Sequence, residues 1–137
     1  MNNLLFVYGT LLQTENEFGV YLNKNCSFLG EGKVNGTLYD IGEYPGLTIN
    51  NHSETFVYGH IYQMKHPEIV LNRLDFYEGV GPTEEQPNLY TRQLIPVETS
   101  DGIVSAWTYI YNLPVIGYPI IASGNYIEYL KQKKSSG

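Results

Sequence analysis

Between Ser27 and Asp40 the chain falls into a strand-like alternation that glycine interrupts at positions 30, 32 and 36. Alternation with a period of two marks a strand with one buried face. Glycines inside such a pattern mark bulges and sharp bends, the devices that curl a sheet toward a barrel. The rest of the chain has to supply partners for this bending strand.

Partners are easy to find. Leu4 to Val7 is a continuous apolar run ended by Gly9-Thr10, which predicts a strand buried on both faces. Tyr44-Pro45-Gly46 predicts a turn; Leu47 to Asn50 and Phe56 to Met64 predict strands joined around Asn50-Asn51-His52-Ser53. Tyr90 to Thr99 and Ile103 to Tyr111 flank Ser100-Asp101-Gly102, a hairpin signal in which Gly supplies the positive φ.

Helices are fewer and shorter. Thr14 with Glu17 spells a capping box for a helix through Phe18, Tyr21 and Leu22. Pro67 suits a first helical turn, followed at helical spacing by Ile69, Val70, Leu74 and Tyr77 and ended at Gly79. Gly81 to Asn88 is a polar loop, and Asn125 to Leu130 predicts a last short helix. The fold class is α+β with strands dominating: one domain over residues 1–130, then a polar, frayed tail over 131–137.

Composition narrows the function. A chain of 137 residues is the size of one domain and needs neither disulfides nor metal to hold its core. Only 16% of residues are charged while Tyr occurs 13 times, which suits strands and half-wet pockets. With 14 acidic against 8 basic side chains the net charge is −6, a poor match to nucleic acid or to an anionic membrane surface. Cys26 is the single cysteine, the first residues lack a basic region, and no apolar run approaches a membrane span. The expectation is a soluble cytoplasmic protein.

Most catalytic motifs are missing. One cysteine with scattered His52, His60 and His66 makes no zinc site, and His66-Pro67-Glu68 lacks the P-C-x-x-C of a deaminase. There is no G-x-S-x-G, P-loop or G-x-G-x-x-G. What is left is acid–base chemistry supported by backbone donors, with two candidate segments. In Val7-Tyr8-Gly9-Thr10-Leu11 a buried strand runs into a Gly turn, where backbone N–H groups can converge on an anion. A plain strand-to-helix turn fits the same residues. In Leu74-Asp75-Phe76-Tyr77-Glu78-Gly79-Val80, Asp75 and Glu78 sit three apart at a helix C-terminus. The macrodipole, like charge and desolvation by Phe76, Tyr77 and Val80 all push such a carboxyl toward neutrality. A solvated helix end is the bland alternative.

Taken together these segments resemble the γ-glutamylcyclotransferase-like family, above all its γ-glutamylamine cyclotransferase branch. The matching pieces run in family order: Phe6-Val7-Tyr8-Gly9-Thr10-Leu11, Gly36-Thr37-Leu38-Tyr39-Asp40-Ile41-Gly42-Glu43-Tyr44-Pro45-Gly46-Leu47 and Val57-Tyr58-Gly59-His60-Ile61-Tyr62. They continue with Leu74-Asp75-Phe76-Tyr77-Glu78-Gly79, Tyr90-Thr91-Arg92, Ala106 to Asn112, and Ile121-Ala122-Ser123-Gly124-Asn125-Tyr126.

The resemblance implies a small mixed β-barrel with a few short flanking helices and a pocket at one end. It implies that Tyr8, Gly9, Thr10 and Leu11 grip a γ-glutamyl group and that Glu78 is the catalytic acid–base. The partner would be a small γ-glutamyl substrate, with no cofactor or metal, and the protein a monomer or weak homodimer. Tyr44, Pro45, Tyr90, Arg92 and Tyr111 complete the candidate substrate contacts. Arg92 could instead pair with Asp75 or Glu78, and Trp107 reads as core. Ser123-Gly124-Asn125-Tyr126 stands where the family has S-G-D-W, which suggests a helix cap beside a packed ring. Glu84 and Glu85 would favour a cationic leaving group. Two further readings share the pocket: a non-catalytic metabolite binder, and a γ-glutamyl hydrolase or transferase.

Overall fold

In a computed structural model, residues 3–9, 17–42, 44–50, 54–78 and 88–136 are described. The elements run β1 (Leu4–Val7), α1 (Glu17–Asn25), β2 (Cys26–Asp40), β3 (Pro45–Ile49), β4 (Phe56–Met64), α2 (Pro67–Glu78), β5 (Tyr90–Thr99), β6 (Gly102–Tyr111) and α3 (Tyr126–Ser136). The sheet order is β3-β2-β4-β1-β6-β5, and a further β2–β5 pairing at Lys33 and Glu98 closes five of the strands into a barrel. Only β1 against β6 is parallel, so the barrel is mixed; β3 is an added strand beside β2.

The bending strand organises this closure. β2 pairs along its first part with β4 and along its last part, Gly36 to Asp40, with β3. Its register slips between Phe28 and Gly30, where Gly30 adopts φ 152° in a β-bulge. At Gly32 a β-carbon would stand 2.7 Å from Val97 on β5, so the missing side chain lets the closing strand approach.

Alternation then sorts side chains into two cores. Phe6 and Tyr8 point into the barrel with Val34, Leu38, Val57, Ile61, Val97 and Ile110. Leu5 and Val7 point the other way, onto Leu22 of α1 and Val70, Leu71 and Leu74 of α2. β1 is therefore buried on both faces, as its unbroken apolar run predicts.

Four details differ from the sequence reading. Pro45 and Gly46 begin β3 instead of forming a turn; a strand's first residue tolerates proline because it needs no ladder N–H there. On α2, Ile69 is exposed and Leu71 takes its place on the buried stripe. Trp107, read as core, is only partly buried and packs on the core's margin. α3 continues to Ser136, into the stretch expected to fray, because Lys133 and Tyr129 both reach Asp40 on β2. Its start behaves as expected: Asn125 Oδ1 accepts the Glu128 N–H as an N-cap, beside the buried Tyr126 ring. The capping box at Thr14, the turn at 51–53 and the loop 81–87 with Glu84 and Glu85 lie outside the described residues. None of the described helices is long and apolar enough to cross a membrane.

Candidate active site

β1 ends at Val7, and the next two residues, Tyr8 and Gly9, open one wall of a pocket at the barrel's end. The described lining consists of Phe6, Val7, Tyr8, Gly9, Tyr44, Pro45, Glu78, Tyr90 and Tyr109. Five elements thus deliver side chains or backbone to one spot.

Glu78 arrives there through helical periodicity. Leu71, Leu74 and Glu78 follow each other at spacings of three and four, so the stripe that buries α2 on the barrel also carries the carboxyl inward. Burial raises its pKa from 4.5 to about 7, because an anion loses solvation there without a fixed countercharge. Two of the causes expected from sequence do not operate. Phe76 is 75% exposed and faces away from the pocket, and Asp75 is engaged elsewhere. The Tyr77 side chain and Val80 lie outside the description.

The tyrosines around Glu78 have committed hydroxyls. Tyr8 donates to the Tyr109 carbonyl at 2.6 Å, Tyr90 donates to the Pro45 carbonyl at 2.6 Å, and Tyr109 donates to Asp75 Oδ1 at 2.6 Å. Burial above all holds the three phenols above their ordinary pKa, followed by the charge of Glu78 at Tyr8, by Tyr8 and then Glu78 at Tyr90, and by the hydrogen bond and charge of Asp75 at Tyr109. They stay neutral at physiological pH, and among the lining groups Glu78 is the one poised to exchange a proton there.

Of the residues expected in the site, Tyr8, Gly9, Tyr44, Pro45, Tyr90 and Glu78 come together. Thr10 and Leu11 lie outside the described residues. Tyr111 sits one layer back, edge-on to Tyr90 with ring centroids 5.6 Å apart, and supports the wall rather than lining it. Arg92 is also outside the lining: its Nη2 donates to Asp75 Oδ2 at 3.1 Å. Tyr109 is the polar lining residue that the sequence reading missed, beside the apolar Phe6 and Val7. Its signal was available, since Trp107, Tyr109 and Tyr111 alternate on β6 and must share one face.

The family profile described as "Gamma-glutamyl cyclotransferase, AIG2-like" matches residues 5–128. YkqA of Bacillus subtilis is 31% identical over 137 residues, covering 98% of this chain and 45% of YkqA. The chain thus spans under half of that relative. The YkqA crystal structure superposes with a TM-score of 0.75, at 29% identity, covering 98% of this chain and 43% of that one. The gamma-glutamylcyclotransferase family protein ytfP of Citrobacter rodentium is 34% identical over 125 residues, covering 90% of this chain and 95% of ytfP. The gamma-L-glutamyl-butirosin B gamma-glutamyl cyclotransferase of Niallia circulans is 34% identical over 110 residues, covering 79% of this chain and 66% of that protein. With a match that runs from β1 into α3 and takes in every described wall of the pocket, the chain belongs to the AIG2-like gamma-glutamyl cyclotransferase family.

Proposed function

We propose that this protein cleaves a γ-glutamyl amide by attack of the substrate's own α-amine on its γ-carbonyl, releasing 5-oxoproline and a free amine. The observation that carries the reading is Glu78: a carboxyl with a pKa raised to about 7, lining the same pocket as the Gly9 turn. Family membership supports the reaction class.

The chemistry needs little else. The α-amine rests as an ammonium at neutral pH and must lose a proton before it can attack. Glu78 takes that proton. Ring closure forms the new C–N bond and puts negative charge on the carbonyl oxygen, which backbone donors at the Tyr8–Gly9 turn would stabilise. Collapse breaks the old C–N bond as Glu78 returns its proton to the leaving amine, and the ring nitrogen gives up its second proton, which the freed amine takes up as it leaves as an ammonium. A pKa near 7 populates both forms of the carboxyl at working pH, the condition for one group to serve as base and then acid. The tyrosine walls hold the chain bent, and such orientation contributes up to about 7–11 kcal/mol in the best cases.

The test is a panel of γ-glutamyl conjugates, with cationic amines, neutral amines and amino acids as leaving groups, read by 5-oxoproline release. Product that disappears in a folded Glu78→Gln variant is the expected result. Free glutamate instead would mean hydrolysis, and binding without turnover would mean a metabolite-binding protein. Equal turnover of cationic and neutral conjugates would dismiss a role for Glu84 and Glu85 in choosing the amine.

A further inference from the structure

The last turn of α2 carries two carboxylates, Asp75 and Glu78, and no basic residue of its own. Two anions at the negative end of a helix dipole repel each other and the dipole. The compensating cation comes from another element. Arg92 on β5 covers both oxygens of Asp75: Nη2 donates to Oδ2 at 3.1 Å, while Nε lies 2.9 Å from Oδ1 as a charge contact outside hydrogen-bond alignment. Tyr109, which faces Arg92 in the β5–β6 register, donates its hydroxyl to Oδ1. The guanidinium is backed by the Trp107 ring at 4.9 Å. With side chains only 24% and 18% exposed, the pair is largely shielded from solvent screening.

We infer that Arg92 is a positioning and charge-compensating residue for Glu78: from β5 it neutralises Asp75, and with Tyr109 it anchors the helix turn from which Glu78 enters the pocket. Asp75 and Glu78 are neighbours on the helix surface, so an unpaired Asp75 would act on Glu78 as a like charge. Paired, it does not, and burial alone stands against the ionised form of Glu78. The other described groups that face Glu78 are Tyr8 after β1, Tyr44 before β3, Tyr90 on β5 and Tyr109 on β6. All are phenols, so within this set the balance of fixed charge at Glu78 depends on the Arg92–Asp75 pair.

This inference rests on the proposed acid–base role of Glu78 only for its catalytic consequence, and the test needs no turnover. In the full chain, the side-chain carboxyl carbon of Glu78 is followed by NMR as pH is varied, its signal assigned by its loss in Glu78→Gln. Arg92→Met strips the countercharge from Asp75, and the Glu78 midpoint should rise by about one half to one pH unit. Asp75→Asn leaves the guanidinium unpaired, and the midpoint should fall by a similar amount. The double variant, with both charges removed, should return close to the wild-type midpoint, and Arg92→Lys should move it least among the single variants. Coincident midpoints in all variants, or single variants that move together, would overturn the inference. If Arg92→Met does not fold, the near-isosteric Asp75→Asn still decides: a downward shift supports the inference and no shift overturns it. Shifted midpoints without 5-oxoproline from any conjugate would remove the proposed reaction and leave the compensation standing. Turnover with unmoved midpoints would do the reverse.

Discussion

A β-carbon on Gly9 would stand 2.9 Å from Cγ of Pro45. The turn after β1 and the first residue of β3 therefore meet where only a hydrogen fits, and both are walls of the pocket. Gly9→Ala would force the Pro45 ring aside, and the Pro45 carbonyl is the acceptor for Tyr90. Overpacking of this kind costs about 1–3 kcal/mol. We expect a modest loss in urea denaturation and a fall of at least about tenfold in kcat/KM with a γ-glutamyl substrate, since small misplacements are amplified in rate. Turnover at the wild-type level would show that the contact does not shape the site.

Glu78→Gln should separate function from stability. For an acid whose folded pKa is raised from 4.5 to about 7, the native state holds more protons than the unfolded state between those values. Stability then falls as pH rises through this window and stays reduced above it. The ionised carboxyl costs on the order of 1–3 kcal/mol above pH 7. Glutamine carries no charge, so the variant should melt higher than wild type at pH 8 and lose that advantage at pH 5, while activity drops by about 100-fold or more. Equal melting of the two proteins at pH 8 would mean that Glu78 is solvated.

What the sequence made legible was whatever is settled by neighbours in the chain. The bounds of β4 follow from alternation, and the start of α2 follows from Pro67, because both signals are local. The buried stripe that carries Glu78 inward is a matter of helical period. What it hid depends on partners far along the chain. Proline at 45 looks like a turn until β2 is seen pairing with it at Asp40. The sequence leaves Arg92 a choice between substrate, Asp75 and Glu78, and only the fold, which brings it against Asp75 from 17 residues on, decides among them. Tyr111 and Tyr109 are alike in sequence, yet only Tyr109 lines the pocket, because Gly46 packs its backbone against the Tyr111 ring.

Tyr90→Phe removes one oxygen from a buried site and leaves the Pro45 carbonyl without its 2.6 Å donor. An orphaned buried acceptor costs about 1–3 kcal/mol. The ring and its edge-on contact with Tyr111 persist, so the loss should show as a lower denaturation midpoint with an unchanged m-value. Because Pro45 also lines the pocket, KM should rise more than kcat falls. A variant as stable as wild type would mean that water replaces the hydroxyl.

Asp40 ties the C-terminal helix to the turn that frames the pocket. One oxygen accepts the Gly42 N–H at 2.9 Å; the other accepts Tyr129 Oη at 2.6 Å and Lys133 Nζ at 3.3 Å. Burial works to raise this carboxyl, but those hydrogen bonds and the lysine charge outweigh it, and its pKa lies below the ordinary 3.8. A depressed folded pKa contributes stability that is complete above the unfolded value and is lost as pH falls through the folded one. Asp40→Ala should therefore cost about 1–3 kcal/mol at pH 7, and its deficit should shrink as pH drops below about 4. The partners are not equal. Tyr129→Phe should cost about 1 kcal/mol. Lys133→Ala should change stability by no more than about 0.5 kcal/mol, because its side chain is 58% exposed and exposed pairs are screened. Denaturation curves for the three variants at pH 7 and pH 3 decide the matter. A deficit in Asp40→Ala that is the same at both pH values would mean that the carboxylate's charge contributes nothing to the latch.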